Sequence, residues 1–198
     1  MRSPIRRTPG LRAARASAMT PDAHNGRVIW ITGLSGAGKS TLARALMEHL
    51  PGALLLDGDD LRVVLGATAS GFDRAGRLAL AQTYARLCRL LAEQGHTVVM
   101  ATISLFHEIH AWNRENLPGY LEVFLDVPEA VRRERDPKGL YAAATAGTLR
   151  HMAGAETAVD VPQAPDLVLP TAEMTLEECV AAVRERLGAE EMADLPQR

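Results

Sequence analysis

Residues 33–40 read Gly33-Leu34-Ser35-Gly36-Ala37-Gly38-Lys39-Ser40 and fit the pattern G-x-x-x-x-G-K-[ST]. A β-rich run, Val28–Thr32, precedes the motif, and a stretch with helical apolar spacing (Leu42, Ala45, Leu46, Leu50) follows it. A strand that enters a glycine-rich turn and leaves as a helix has few folds open to it. The glycines let the backbone turn so that its N–H groups converge on phosphate oxygens. The helix N-terminus adds the positive end of its dipole. Lys39 supplies a compact ammonium for the β and γ phosphates, and Ser40 offers a hydroxyl to Mg²⁺. The cradle Gly33–Thr41 therefore predicts a nucleoside triphosphate site with Mg²⁺, and leaves the nucleotide and the reaction open.

The rest of the chain alternates strand and helix signals. Ala53–Leu56, His96–Ile103, Tyr120–Asp126 and Leu167–Leu169 read as strands. Ser40–Leu50, Arg77–Gln94 and Thr175–Leu187 read as helices, and Glu129–Asp136 as a charge-rich helix with a solvated face. Strands separated by helices predict a parallel sheet covered on both faces, so the fold class is α/β, a three-layer P-loop NTPase domain resembling nucleotide kinases. The expected domain is 26–188. Residues 1–25 hold five arginines and no acid before Asp22, and are expected to be a disordered extension, with Met19 as an alternative start and an organelle transit peptide the less favoured reading. Residues 189–198 are expected to be a frayed acidic tail. Residues 136–165, polar and punctuated by Gly and Pro, predict a functional flap.

Composition excludes several classes. With 47% hydrophobic residues the 198-residue chain can bury a core, and a net charge of -2 gives no reason to expect nucleic acid or an anionic membrane as partner. No apolar run approaches the ~18 residues that span a bilayer. Cys88 and Cys179 form no CxxC and read as reduced thiols of a cytoplasmic protein. Of 22 basic residues only Lys39 and Lys138 are lysines, so each is a candidate for work that a broad guanidinium cannot do.

A second charged cluster, Leu56-Asp57-Gly58-Asp59-Asp60-Leu61-Arg62, closes the second predicted strand. Ligands of doubly wound sheets bind at that edge. A carboxylate there can orient or deprotonate an attacking hydroxyl, or hold a water of Mg²⁺, with Asp57 or Asp59 the candidates. An arginine can grip an acceptor phosphate. One acid is needed for less: Asp59 or Asp60 is expected to cap the helix that follows.

Taken together, Gly33–Thr41, Asp57-Gly58-Asp59 with Arg62, Gly71-Phe72, Arg77, Ile103-Ser104 and Arg135-Asp136-Pro137-Lys138-Gly139-Leu140-Tyr141 resemble the adenylylsulfate (APS) kinase family, in the family's order, from about residue 27 to 187. The resemblance implies transfer of the ATP γ-phosphate to the 3′-hydroxyl of APS, giving PAPS for sulfate assimilation. It implies that Asp59 lies near the acceptor hydroxyl, that Asp57, Ile103 and Arg114 contact the acceptor, and that Arg62 and Arg77 hold its phosphate end. It further implies that Phe72 stacks on the acceptor base, that Lys138, Gly139 and Leu140 line its pocket, and that Arg135 closes over ATP. Ser104 matches a serine that the family offers as a phosphoserine intermediate, although direct in-line transfer is simpler. Dimers are common in that family, so a homodimer is an expectation on resemblance alone.

The sequence departs from the family on the acceptor side. Leu80-Ala81-Gln82-Thr83 stands where the family carries Asn-Ile-Arg-Arg. Leu105-Phe106-His107 and His110 stand for Pro-Tyr-Arg and a further Arg, and Met152-Ala153-Gly154 for Phe-Thr-Gly. The stretch Thr102–Ile109 with Asn113-Arg114 is similar to APS-kinase-like enzymes that phosphorylate cytidine diphosphoramidate in capsule modification, so that acceptor stays open beside APS. His107-Glu108-Ile109-His110 is not H-E-x-x-H, so zincin chemistry is unsupported, and a solvated or acceptor-facing pair is expected. Trp112 and Asp126 read as structural. A nucleotide-dependent switch and a non-catalytic nucleotide-binding partner are the remaining alternatives, and acceptor-dependent ATP consumption separates the kinase from both.

Overall fold

The computed structural model describes residues 26–66, 71–136, 139–145 and 159–193. The extension 1–25, the end of the tail, Pro137, Lys138 and most of the predicted flap lie outside them. The elements run β1 (Arg27–Thr32), α1 (Lys39–Met47), β2 (Leu54–Asp57), α2 (Gly58–Leu65), α3 (Arg74–Ala92), β3 (Thr97–Thr102), α4 (His107–Asn116), β4 (Tyr120–Leu125), α5 (Glu129–Arg135), α6 (Leu140–Thr145), β5 (Leu167–Leu169) and α7 (Leu176–Ala193).

All pairings are parallel, in the order β2-β3-β1-β4-β5. The strand beginning at Arg27 is central because its residues 28–32 are fully buried and its register meets β3 and β4 on either side. Alternation divides the core. Ile29, Ile31, Val99, Leu121 and Val123 face α1 and α7. Val28, Trp30, Val98 and Met100 face α3 and α4. Both sheet faces are thus covered, and the carboxyl ends of β1, β2 and β3 open toward one edge.

The structure corrects several boundaries. The closing helix continues beyond Leu187 to Ala193, so the acidic stretch set apart as a frayed tail is helical to that point. Ahead of the long third helix, α3 starts at Arg74, because the Asp73 side chain accepts from Gly76 N–H and caps it. Segment 136–165 carries a short helix, α6, and its far end, 159–166, is pinned to the body by Asp160, whose carboxylate accepts from His107 N–H and pairs with Arg74 at 3.1 Å. Among the described residues no helix is long and apolar enough to cross a membrane.

Both cysteines are buried, Cys88 on α3 and Cys179 on α7. Burial pushes the Cys88 thiol up to about 12, so the reactive thiolate is scarce in the folded protein. Iodoacetamide at pH 8 is expected to leave both thiols unmodified in the native protein and to alkylate both in denaturant. Rapid native alkylation of Cys88, followed by mass spectrometry, would contradict this packing.

Candidate active site

The cradle is built by backbone geometry that its residues make cheap. Gly38 holds φ +98° at the N-cap of α1, a left-handed conformation that an L side chain resists. Gly36 lies at φ +80°, and a Cβ there would meet Arg132 O at 2.8 Å, so α5 packs directly on the loop. Lys39 Nζ donates to Leu34 O at 2.9 Å and folds back across its own loop. Ala37 N–H closes a turn on Leu34 O, and Leu42 N–H bonds Gly38 O, which places Ser40 and Thr41 in the first turn of α1.

The end of α5 and the residues that follow it support this loop from outside. Arg135 donates to Thr171 O at 2.6 Å and reaches Gly36 O at 3.5 Å. Thr171 Oγ1 in turn donates to Ala37 O at 2.8 Å. Asp136 accepts from Tyr141 N–H and Ala142 N–H, which caps α6, and Gly139 makes the turn at φ +64°. Tyr141 is buried, its hydroxyl bonded to Arg132 and donating to Ser35 O. Thr171, Arg132 and Tyr141 had no assigned role from sequence alone, since nothing local marks a residue that serves a loop about a hundred positions away.

Asp57 joins the cradle to the neighbouring wall. Its Oδ2 accepts from Ser40 Oγ at 2.5 Å, and its Oδ1 accepts from Asp59 N–H at 3.0 Å. Asp57 is therefore the cap of α2, which corrects the assignment of that job to Asp59 or Asp60. Both of those acids are exposed in the first turn of α2, where the helix dipole favours them. The Ser40 hydroxyl and the Asp57 carboxylate are hard oxygen donors in contact beside Lys39, and they fit Mg²⁺, which commonly takes one or two protein oxygens and completes its shell with phosphate and water. Among the described residues no three His, Cys, Asp or Glu side chains gather as a metal cage.

The wall itself comes from α2, α3 and the end of β3. Arg62 lies 4.6 Å from the Phe72 ring centroid and Arg77 lies 5.9 Å from it. Arg77 Nε donates to Phe72 O at 2.6 Å. Burial, then the charge of Arg62, holds Arg77 below its ordinary value. Tyr84 Oη donates to Gly58 O at 2.8 Å and feels Arg62, Asp59 and Asp57, so these charges share one corner with it. At the end of β3, Thr32 Oγ1 donates to Ile103 O at 2.5 Å, and Thr102 Oγ1 lies 2.8 Å from Ser104 Oγ. Ser104 holds φ +29°, in the left-handed region that favours glycine. Thr102 Oγ1 also closes on Gly58, 3.1 Å from where a Cβ would sit.

Not every expected residue joins this corner. Arg114 belongs to another network: it donates to Glu122 at 3.0 Å, to Asp166 at 3.2 Å and to Ala164 O at 3.1 Å. It sits about two turns along α4 from His107, and the buried Glu122 carboxylate claims it. Lys138 lies outside the described residues. Leu140 opens α6, and Gly139 precedes it in an exposed turn. Of the departures, Leu80 and Ala81 are core residues of α3, while Gln82 and Thr83 are exposed. His107 is exposed, with Nε2 at 3.0 Å from Val161 O, and His110 is buried with Nε2 at 3.2 Å from Ser104 O, so the expectation of a solvated residue holds for His107 and not for His110.

The sequence pattern of the adenylylsulphate kinase family matches residues 25–170. The chain belongs to this family. It is 42% identical over 167 residues to an adenylyl-sulfate kinase of Deinococcus deserti, which covers 82% of this chain and 92% of that one. A cytidine diphosphoramidate kinase of Campylobacter jejuni is 36% identical over 169 residues, 83% and 98% of the two chains. The APS kinase of Mycobacterium tuberculosis, solved in complex with AMPPNP and APS, superposes with a TM-score of 0.77 at 36% identity, covering 83% of this chain and 98% of that one. The family consists of ATP-dependent kinases acting on hydroxyl acceptors, and this chain is an α/β P-loop phosphotransferase of that kind.

Burial pushes His110 down to about 4, against the bond to Ser104, which raises it. Its folded value lies below the unfolded value of about 6.5, so the unfolded chain takes up the proton first. Stability is expected to fall as pH drops from about 6.5 toward 4 and to lose no more through this group below that. His110→Gln, followed by thermal unfolding across the same window, is expected to show a shallower loss. Parallel profiles would contradict a buried neutral ring.

Proposed function

We propose that this kinase transfers the γ-phosphate of ATP to the 3′-hydroxyl of adenylylsulfate, giving PAPS and ADP. The observation that carries the reading is the Asp57 carboxylate, which touches the cradle serine with one oxygen and starts the acceptor helix with the other. Donor and acceptor are thereby set against each other, and positioning is most of what phosphoryl transfer asks of a protein.

Lys39 and the cradle amides hold the β and γ phosphates. Asp59 lies at the exposed start of α2 and takes the proton of the acceptor hydroxyl as its oxygen attacks phosphorus. The new O–P bond forms as the bond between the γ-phosphorus and the bridging oxygen breaks, and ADP leaves. Mg²⁺, when bound, neutralises charge on the phosphate oxygens, and Ser40 with Asp57 are the residues that would hold it. Arg62 and Arg77 hold the acceptor's anionic end, where an anion also relieves the repulsion between them. Phe72, half exposed between them, meets the base. Arg135 bears on the ATP side through the cradle carbonyls, and Lys138, Gly139 and Leu140 bear on the acceptor.

A second acceptor, cytidine diphosphoramidate, is favoured by one observation. The two residues standing where the family has acceptor-side arginines, His107 and His110, are both spent on backbone carbonyls. ADP release with ATP and Mg²⁺, offered APS and cytidine diphosphoramidate in parallel, is expected to be stronger with APS. Turnover confined to the cytidine compound would transfer the assignment to it, and acceptor-independent or absent turnover would remove both. Lys39→Ala is expected to abolish turnover. Asp59→Asn is expected to lower kcat by roughly 10²–10⁴, with ATP binding little changed. Ser104→Ala is expected to keep turnover, because transfer is direct, and its loss together with a trapped phosphoserine in the parent enzyme would favour the two-step route.

A further inference from the structure

Ser104 is strained, and something must hold it. Its φ of +29° is unfavourable for a residue with a Cβ. Its carbonyl accepts two bonds, one from Phe106 N–H at 3.1 Å, which closes the turn over Leu105, and one from His110 Nε2 at 3.2 Å. The first is local and moves with the turn. The second is anchored in α4, one turn inside the helix, and α4 is itself packed on the sheet through Ile109, with Leu117 just past its end in the same cluster.

The ring is well placed to donate there. His110 and Glu122 are buried, and His110 Nδ1 lies 3.7 Å from Glu122 Oε1. Glu122 occupies a sheet position in register with Trp30, under α4, and its other oxygen is held by Arg114. The charged and titratable groups around the ring are Glu122 from β4, Asp160 from the returning segment, and His107 and Arg114 on α4 itself. A neutral ring has one N–H. A carbonyl accepts only, so the proton belongs on Nε2.

We propose that His110 is a positioning residue whose Nε2–H, bonded to the Ser104 carbonyl, holds Ser104 in its left-handed turn and so sets the Thr102–Ser104 hydroxyl pair against Gly58 at the start of α2. It rests on the reading of that corner as the acceptor wall. His110 acts through Ser104 and touches neither donor nor acceptor.

Two measurements test it. In the wild-type protein, ¹⁵N-resolved imidazole spectra at pH 7 are expected to show His110 as the Nε2–H tautomer. An Nδ1–H tautomer would overturn the proposal whatever the acceptor is, and so would a ring in fast exchange with water. In kinetics, His110→Leu removes the donor at similar bulk, and His110→Gln keeps an amide N–H at the reach of Nε2. Loss of one buried hydrogen bond is expected to lower kcat/KM for the acceptor about tenfold in the Leu variant, with KM for ATP unchanged. The Gln variant is expected to recover most of it. Wild-type acceptor kinetics in the Leu variant would overturn the proposal, as would equal damage to ATP and acceptor parameters in both variants. If the wild type turns over neither acceptor, the functional reading fails while the tautomer still decides this one. The tautomer decides equally if the Leu variant does not fold.

Discussion

One carboxylate holds the two halves of this site together. Asp57 ends β2, and a strand end at the open edge of a parallel sheet is where a ligand arrives. A buried carboxylate must find hydrogen-bond donors, and the two available are the Ser40 hydroxyl and the Asp59 amide. Satisfying Asp57 therefore fixes the first turn of α1 relative to the first turn of α2. The nucleotide cradle sits on one of these turns and the acceptor acids and Arg62 on the other. Gly58 follows where space is tight: a Cβ there would sit 3.1 Å from Thr102 Oγ1, so its neighbours would have to yield by a few tenths of an ångström.

Around that tie the protein arranges charge of alternating sign. Lys39 and the N-terminus of α1 provide positive potential on the donor side. Asp57, Asp59 and Asp60 form a negative ridge, and Arg62 with Arg77 a positive patch beyond it. In the proposed reaction the anionic donor and the anionic acceptor repel each other, and each would meet its own positive surface with the carboxylates between. Tyr84, neutral with its hydroxyl pushed up to about 12, can support Gly58 from the core side without adding another charge.

The donor side was legible in the sequence because its chemistry is contiguous. Nine consecutive residues, Gly33 to Thr41, specify turn, dipole and ammonium together, and the strands that carry them have the apolar runs of a doubly covered parallel sheet. The roles that escaped are those made by distant partners. Asp57 was visible as an acid, yet its selection over Asp59 as the cap depends on backbone geometry at the strand end. Arg114 matched a family position, yet a carboxylate on β4 takes it. Glu122 carried a readable signal, a charged residue inside a strand predicted to be buried on both faces, and such a residue requires a buried partner. Its ion-pair partner, Arg114, lies on the helix that covers it, and helical spacing alone does not say which face is covered.

The departures from the family change the kind of interaction that holds the acceptor wall. An arginine facing an acceptor offers charge and a fork of donors. A histidine bonded to a main-chain carbonyl offers neither to the ligand, and gives shape instead. His107 ties α4 to the returning segment through Val161 O, and the Asp160 carboxylate caps the same helix in place of Phe106, which has no capping side chain. Arg74, beside Phe106, is engaged by Asp160 and Glu108. The segment that closes the flap is thus fastened to the helix that supports Ser104. Under the proposed function, discrimination at such a wall falls to fit and to the patch of Arg62 and Arg77, which favours an acceptor whose anionic end lies within its reach.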